Sequence, residues 1–92
     1  MKAFNRVNHH GRQYYFTEVA EGITSIRNLK NELVVAHDID KLRQSWYDWQ
    51  IMGMYIQHAF EYLTPTEREF LITGLTDQAW KRLFEGTEKE SL

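Results

Sequence analysis

The sequence predicts an α+β fold: a short N-terminal antiparallel β meander of three or four strands, followed by one long helix and two short C-terminal helices. Three observations predict it. The first third alternates β-branched and aromatic runs with Gly and Asn turns. From Ile39 the apolar residues recur at steps of three and four, a helical period. Near the end, Thr64-Pro65-Thr66-Glu67 has the form of a capping box with proline at the first helical position. The chain of 92 residues suits one domain. Residues 1–86 form a single α+β domain in this scheme, and residues 87–92 a polar C-terminal tail.

The strands come first. Phe4–Asn8 and Arg12–Val19 flank His9-His10-Gly11, a turn whose glycine accepts positive φ. Ala20-Glu21-Gly22 breaks the chain before Ile23–Arg27. Asn28-Leu29-Lys30-Asn31 forms the next turn, since Asn tolerates left-handed backbone, and Leu33–Ala36 follows as a β-branched strand.

Asp38 or Asp40 can cap the long helix, which the spacing extends over residues 38–62, about 38 Å at 1.5 Å per residue. Its seam runs Ile39, Leu42, Trp46, Trp49, Gly53, Ile56, Phe60 and Leu63. A second stripe, Met52, Tyr55, Ala59 and Tyr62, joins it in the latter half. Gly53 on the seam either admits another backbone closely or marks a bend. The next helix runs from Pro65 through Phe70 and Leu71 to Gly74. Thr76 caps the last one, 77 to about 85, with Ala79, Trp80, Leu83 and Phe84 on a shared face.

Composition excludes several classes. No apolar run reaches the roughly 18 residues of a spanning helix, so neither a membrane segment nor a secretory signal is expected. With no Cys there is no disulfide framework, thiolate zinc site or cysteine nucleophile. A formal net charge of −2 argues against bulk nucleic-acid binding. The charge is uneven: residues 1–46 carry seven Lys and Arg against five Asp and Glu, residues 47–92 four against eight. Aromatics make up 14%, enough ring area either to build the core or to furnish a binding surface.

Chemical motifs are sparse. His9 and His10, adjacent on an extended chain, point to opposite faces and read as polar turn residues, so no metal is expected. His37-Asp38-Ile39-Asp40 has the groups of a proton-accepting pair, with His37 and Asp40 its centre, but its place at a strand-to-helix junction favours helix capping. No phosphate loop or nucleophile elbow occurs. The expectation is a non-enzymatic protein without cofactors.

Ile56-Gln57-His58-Ala59-Phe60, Leu63-Thr64, Glu67-Arg68-Glu69-Phe70-Leu71-Ile72-Thr73-Gly74, Trp80 and Phe84 together resemble the C-terminal segment of small uncharacterised bacteriophage proteins, over roughly residues 46–85. The resemblance implies viral origin and a shared helical module with no catalytic group. It points to an accessory protein that binds and blocks a host component in the host cytoplasm, as an anti-defence or host-takeover inhibitor. Leu63–Leu71 with Gly74-Leu75-Thr76 also looks like the opening of the helix-turn-helix of quorum-sensing-type transcription regulators. It departs from that pattern in having only Ile72 and Thr73 between Leu71 and Gly74. Asp77 at the start of the presumptive reading helix would repel phosphate. A small DNA-binding regulator using residues 64–85 is thus the alternative.

The expected contacts follow from the seam. Trp46, Tyr47, Trp49, Gly53, Ile56 and Phe60 are the candidate interface, for a host protein or for a second copy in a homo-oligomer, because Trp and Tyr dominate binding hot spots. A variant in which the partner is a host signalling nucleotide would use Tyr14, Tyr15 or Trp46 to stack a base. Arg12 or Arg27 would then hold the phosphate.

Overall fold

The computed structural model of the chain describes residues 1–79 and 81–82. Four strands, β1 (Ala3–Val7), β2 (Gln13–Ala20), β3 (Ile23–Arg27) and β4 (Glu32–Val35), form one antiparallel sheet in the order β1-β2-β3-β4. A long helix, α1 (Ile39–Gln50), and two shorter ones, α2 (Ile56–Ala59) and α3 (Pro65–Thr73), follow. The α+β arrangement predicted above is therefore present. Residues 77–79 and 81–82 are helical too. Trp80, Leu83, Phe84 and the expected tail 87–92 lie outside the described residues.

Alternation decides which face of the sheet is buried. The register sets Phe4, Phe16, Ile26 and Leu33 in one row across the four strands, on the face that meets the helices. Thr17, Ser25 and Val34 form the neighbouring row on the opposite face. A register shift between Glu18 and Ala20 takes up one extra residue where β2 turns into β3.

The core is a chain of aromatic rings. Trp46 meets Tyr14 and Phe16, each with 5.7 Å between centroids, and Trp49 at 5.1 Å. Trp49 continues to Phe60 at 6.1 Å and Tyr14 to Phe70 at 5.6 Å, all edge-on, the arrangement ring quadrupoles favour. The aromatic excess is thus largely spent inside.

The long helix is shorter than the seam predicts. Asp38 caps its start, its carboxylate accepting from Asp40 N–H at 3.0 Å. Its end lies at Gln50 and not near residue 62. The last turn widens: Tyr47 C=O accepts from both Ile51 and Met52 N–H, and Asp48 C=O from Met54 N–H. Gly53 then takes φ +77°, which reverses the chain. A Cβ at Gly53 would meet nothing within 4 Å, so the glycine serves a bend and not a close approach. Beyond it, Phe60 and Leu63 drop back into the same core as Leu42 and Trp46.

Both ends of α3 are closed. At the start the capping box forms reciprocally: Thr64 Oγ1 accepts from Glu67 N–H at 3.2 Å, and Thr64 N–H donates to Glu67 Oε1 at 2.8 Å. At its end Gly74 takes φ +77°, and the sheet supplies the donors. Tyr14 Oη donates to Phe70 C=O at 2.8 Å, Asn8 Nδ2 to Leu71 C=O at 2.9 Å and Arg12 Nε to Ile72 C=O at 3.0 Å. Asn28 and Asn31 amides both reach Gly74 C=O, at 2.8 and 2.9 Å. The Leu71, Ile72 and Gly74 carbonyls, which follow the last intrahelical bond, are thereby satisfied from two turns of the sheet, and Phe70 C=O, already bonded to Gly74 N–H, gains a second donor from β2.

Candidate functional site: the surface at the end of α1

The chain from α1 into α2 places apolar side chains where the core cannot receive them. Once the helix stops at Gln50, the stretch to Tyr55 bends away around Gly53. Ile51, Met52 and Tyr55 are left 67%, 63% and 72% exposed, with Met54 and, one turn back on α1, Tyr47 half-exposed. No charged residue interrupts the run from Ile51 to Ile56. Single exposed apolar residues are ordinary, but contiguous ones mark contact surfaces.

A shallow cavity of about 360 Å³ adjoins this turn, lined by Arg6, Arg43, Gln44, Tyr47 and Ile51 and by an edge of the buried Trp46. Its two arginines are positioned by Phe4, whose ring stacks on Phe16 at 4.4 Å. The Arg6 and Arg43 guanidiniums lie 4.8 and 4.7 Å from the centroid of Phe4, held by the ring's electron-rich face. Asp40 borders the cavity, with Arg43 at 3.5 Å and Lys2 as its closer partner. Lys2 lowers the Asp40 carboxyl below the usual carboxylate range, and Asp40 raises Lys2 in return. Arg6 and Arg43 line the cavity against one carboxylate, so the rim is basic. An apolar centre with arginines at its edge is the composition of binding hot spots.

The expected interface residues divide. Tyr47, Gly53 and Ile56 lie along the exposed turn, with Ile56 half-buried. Trp46, Trp49 and Phe60 are corrected: they are 3%, 9% and 0% exposed and belong to the chain's own core, because the bend at Gly53 folds the seam back on itself. Trp46 accordingly has no free face for a base. Of the other ligand candidates, Tyr14 is fully buried with its hydroxyl engaged by Phe70, and burial pushes its phenol up to about 12. Tyr15 is half-buried, and Arg12 and Arg27 are exposed at the turn end of the sheet.

The remaining polar motifs are held in structural contacts. His37 packs edge-on against Tyr62 at 4.7 Å, and its carbonyl accepts from Thr24 Oγ1. His9 and His10 lie ring by ring at 4.2 Å, and His9 Nδ1 meets Gln50 Nε2 at 3.1 Å. Among the described residues no three His, Cys, Asp or Glu side chains gather as a metal site requires, and no helix is long and apolar enough to cross a membrane. In the segment of the DNA-binding alternative, Lys81 pairs with Asp77 at 3.5 Å and Arg82 is exposed, while Trp80 and residues 83–85 lie outside the described residues.

Sequence reasoning missed two arrangements. The Arg6–Phe4–Arg43 cluster joins residues nearly forty positions apart, and only the alternation of Phe4 with Arg6 on one strand face hints at it. The engagement of α3 by Asn8, Asn28 and Asn31 had a clearer signal. An Asn that spends its carbonyl oxygen on a turn still has an amide donor to place. Compared with family models, with curated proteins and with solved structures, the chain gives no match.

Proposed function

We propose that this is a non-enzymatic binding protein that occupies and blocks a partner protein through the surface at the end of α1. The observation that supports it is the uninterrupted exposed run Ile51–Tyr55 beside the Arg6–Arg43 cavity, whereas Trp46, Trp49 and Phe60 of the same seam are buried. The basic rim selects a partner surface that sets carboxylates around an apolar centre. What points to a host protein in the host cytoplasm as that partner is the resemblance of residues 46–85 to small bacteriophage proteins. Non-enzymatic action is supported by the engagement of the candidate chemical groups elsewhere: Asp38 in a helix cap, Asp40 in ion pairs, His37 against Tyr62.

Paired capture experiments test this. The tagged protein and its Ile51→Asp/Tyr55→Asp variant are each exposed to a bacterial lysate. A host protein held in stoichiometric amount by the first and lost by the second is the expected result; equal retention by both removes this surface from the proposal. Trp46 and Trp49 are poor probes, since a buried Trp→Ala change costs about 3–5 kcal/mol and unfolds the site with the domain. Sedimentation identifies the other possible occupant, a second copy of the chain. A monomeric mass at high micromolar concentration excludes it.

A further inference from the structure

In an antiparallel meander the first and third turns lie at one end of the sheet. Here both converge on the end of α3. Between them runs an open groove of about 630 Å³, lined by His10, Arg12, Tyr15, Lys30 and Asn31 with the backbone of Gly74. No Asp or Glu lines it. The ion pairs among the described residues are Lys2–Asp40, Arg43–Asp40 and Lys81–Asp77, and none engages Arg12, Arg27 or Lys30. Two cations, Arg12 and Lys30, thus line one groove with no carboxylate between them, while Arg27 beside it faces Glu32 across the strand pair, in a protein whose net charge is negative.

These groups are also held in place. Arg12 is tethered through Nε to Ile72 C=O, which leaves the outer nitrogens of its guanidinium directed to other partners. Lys30 sits in a turn closed by Asn28, whose Oδ1 accepts from both Lys30 and Asn31 N–H, while its amide is pinned to Gly74 C=O. Tyr15 borders the groove with a half-buried ring, and Arg27 stands opposite it in the register, on the same outer face of the sheet. A tethered guanidinium, with a second cation on a closed turn and a ring beside it, suits a ligand that carries a phosphate and a planar base. The volume is that of a small-molecule site.

We infer that this groove binds a nucleotide, its phosphate held by Arg12 and Lys30 and its base stacked on Tyr15. The site is separate from the surface at the end of α1 and does not depend on the partner proposed there. Two sources share this chemistry, a free nucleotide and the backbone of a single strand. Calorimetry of the full chain with adenosine diphosphate, and anisotropy with a short labelled oligothymidine, both at low salt, tell them apart.

Binding of either probe is expected, weakened roughly tenfold by Tyr15→Leu, as loss of one stacked base implies, and by a similar factor in Lys30→Gln. Both side chains lie outside the core and the hydrogen bonds that hold α3, so the variants fold. For the oligothymidine, affinity should fall with salt at a slope of about −1 to −2, as contact with one to three phosphates requires. Binding of adenosine diphosphate alone identifies a free nucleotide as the ligand, and of the oligothymidine alone a strand. The inference is overturned if neither probe binds, or if binding survives Tyr15→Leu and Lys30→Gln unchanged.

Discussion

Helices α1 and α3 are both followed by a glycine with φ +77°, Gly53 and Gly74, and yet the two ends have little else in common. A methyl group at Gly53 would meet nothing within 4 Å, whereas one at Gly74 would stand 2.7 Å from Asn28 Nδ2. The last carbonyls of α1 are served locally, by the N–H groups of Ile51, Met52 and Met54. Those of α3 accept locally from Gly74 N–H and Thr73 Oγ1 and, beyond that, from side chains 43 to 63 residues away in sequence. One backbone device therefore yields two outcomes. Where distant donors converge, the helix end becomes a joint that locks the sheet to the C-terminal half. Where none do, the chain is released to the surface with its apolar side chains uncovered.

The sharpest way to break this contrast is to put the same side chain at both glycines. Left-handed backbone costs a non-glycine residue about 1–2 kcal/mol, and that term applies equally to Gly53→Ala and Gly74→Ala. Only Gly74→Ala also displaces Asn28 and costs about 1 kcal/mol more per hydrogen bond lost. Urea denaturation should therefore give a destabilisation of about 2–3 kcal/mol for Gly74→Ala and about 1–2 kcal/mol for Gly53→Ala. Equal losses would mean that the joint at α3 contributes nothing beyond its backbone geometry.

A smaller effect separates the joint's polar and apolar parts. Tyr14→Phe keeps the ring packed on Trp46 and Phe70 and removes one of the two donors to Phe70 C=O, which retains Gly74 N–H, for about 0.5–1.5 kcal/mol. The phenol also carries a pH signature. Burial holds Tyr14 protonated up to about 12 in the folded protein, while in the unfolded chain it ionises at its ordinary 10.0. The stabilisation this represents is whole below pH 10 and is lost as pH rises through 12. Tyr62, also raised by burial, acts in the same direction. Stability measured from pH 9 to 12 should fall less steeply in Tyr14→Phe than in the parent chain. Parallel slopes would show that the buried phenol is not what titrates.

The same contrast explains which parts of the fold were legible in the sequence. Strands were, because alternation and turn residues are local: the meander, Asp38 as a cap and the Thr64–Glu67 capping box all appear where the residue pattern puts them. The extent of α1 was not. Apolar steps of three and four run on across Gly53 because Phe60 and Leu63 return to the same core, and a spacing pattern records burial without recording the direction of the chain. Trp46 and Trp49 failed as interface residues for a related reason. Ring area can be counted from a sequence, but which side of the ring meets the sheet depends on Phe16 and Tyr14, some thirty residues earlier. Of the exposed turn, the expected interface includes Tyr47, Gly53 and Ile56 but not Ile51, Met52 and Met54, since these count as interior positions of a helix that has already ended.

The smallest expected change in stability falls at that unread segment. Met52 is exposed, belongs to no ring contact, and its side chain has left the helix. Met52→Asp should shift unfolding by no more than about 0.5 kcal/mol, the range of ordinary surface positions. A core methionine replaced by a charge would lose several times that. A loss above about 1 kcal/mol would show the turn to be a packed part of the domain, and its apolar run would need no partner to explain it. A neutral result combined with lost partner capture would mean that these side chains stabilise the complex and not the fold.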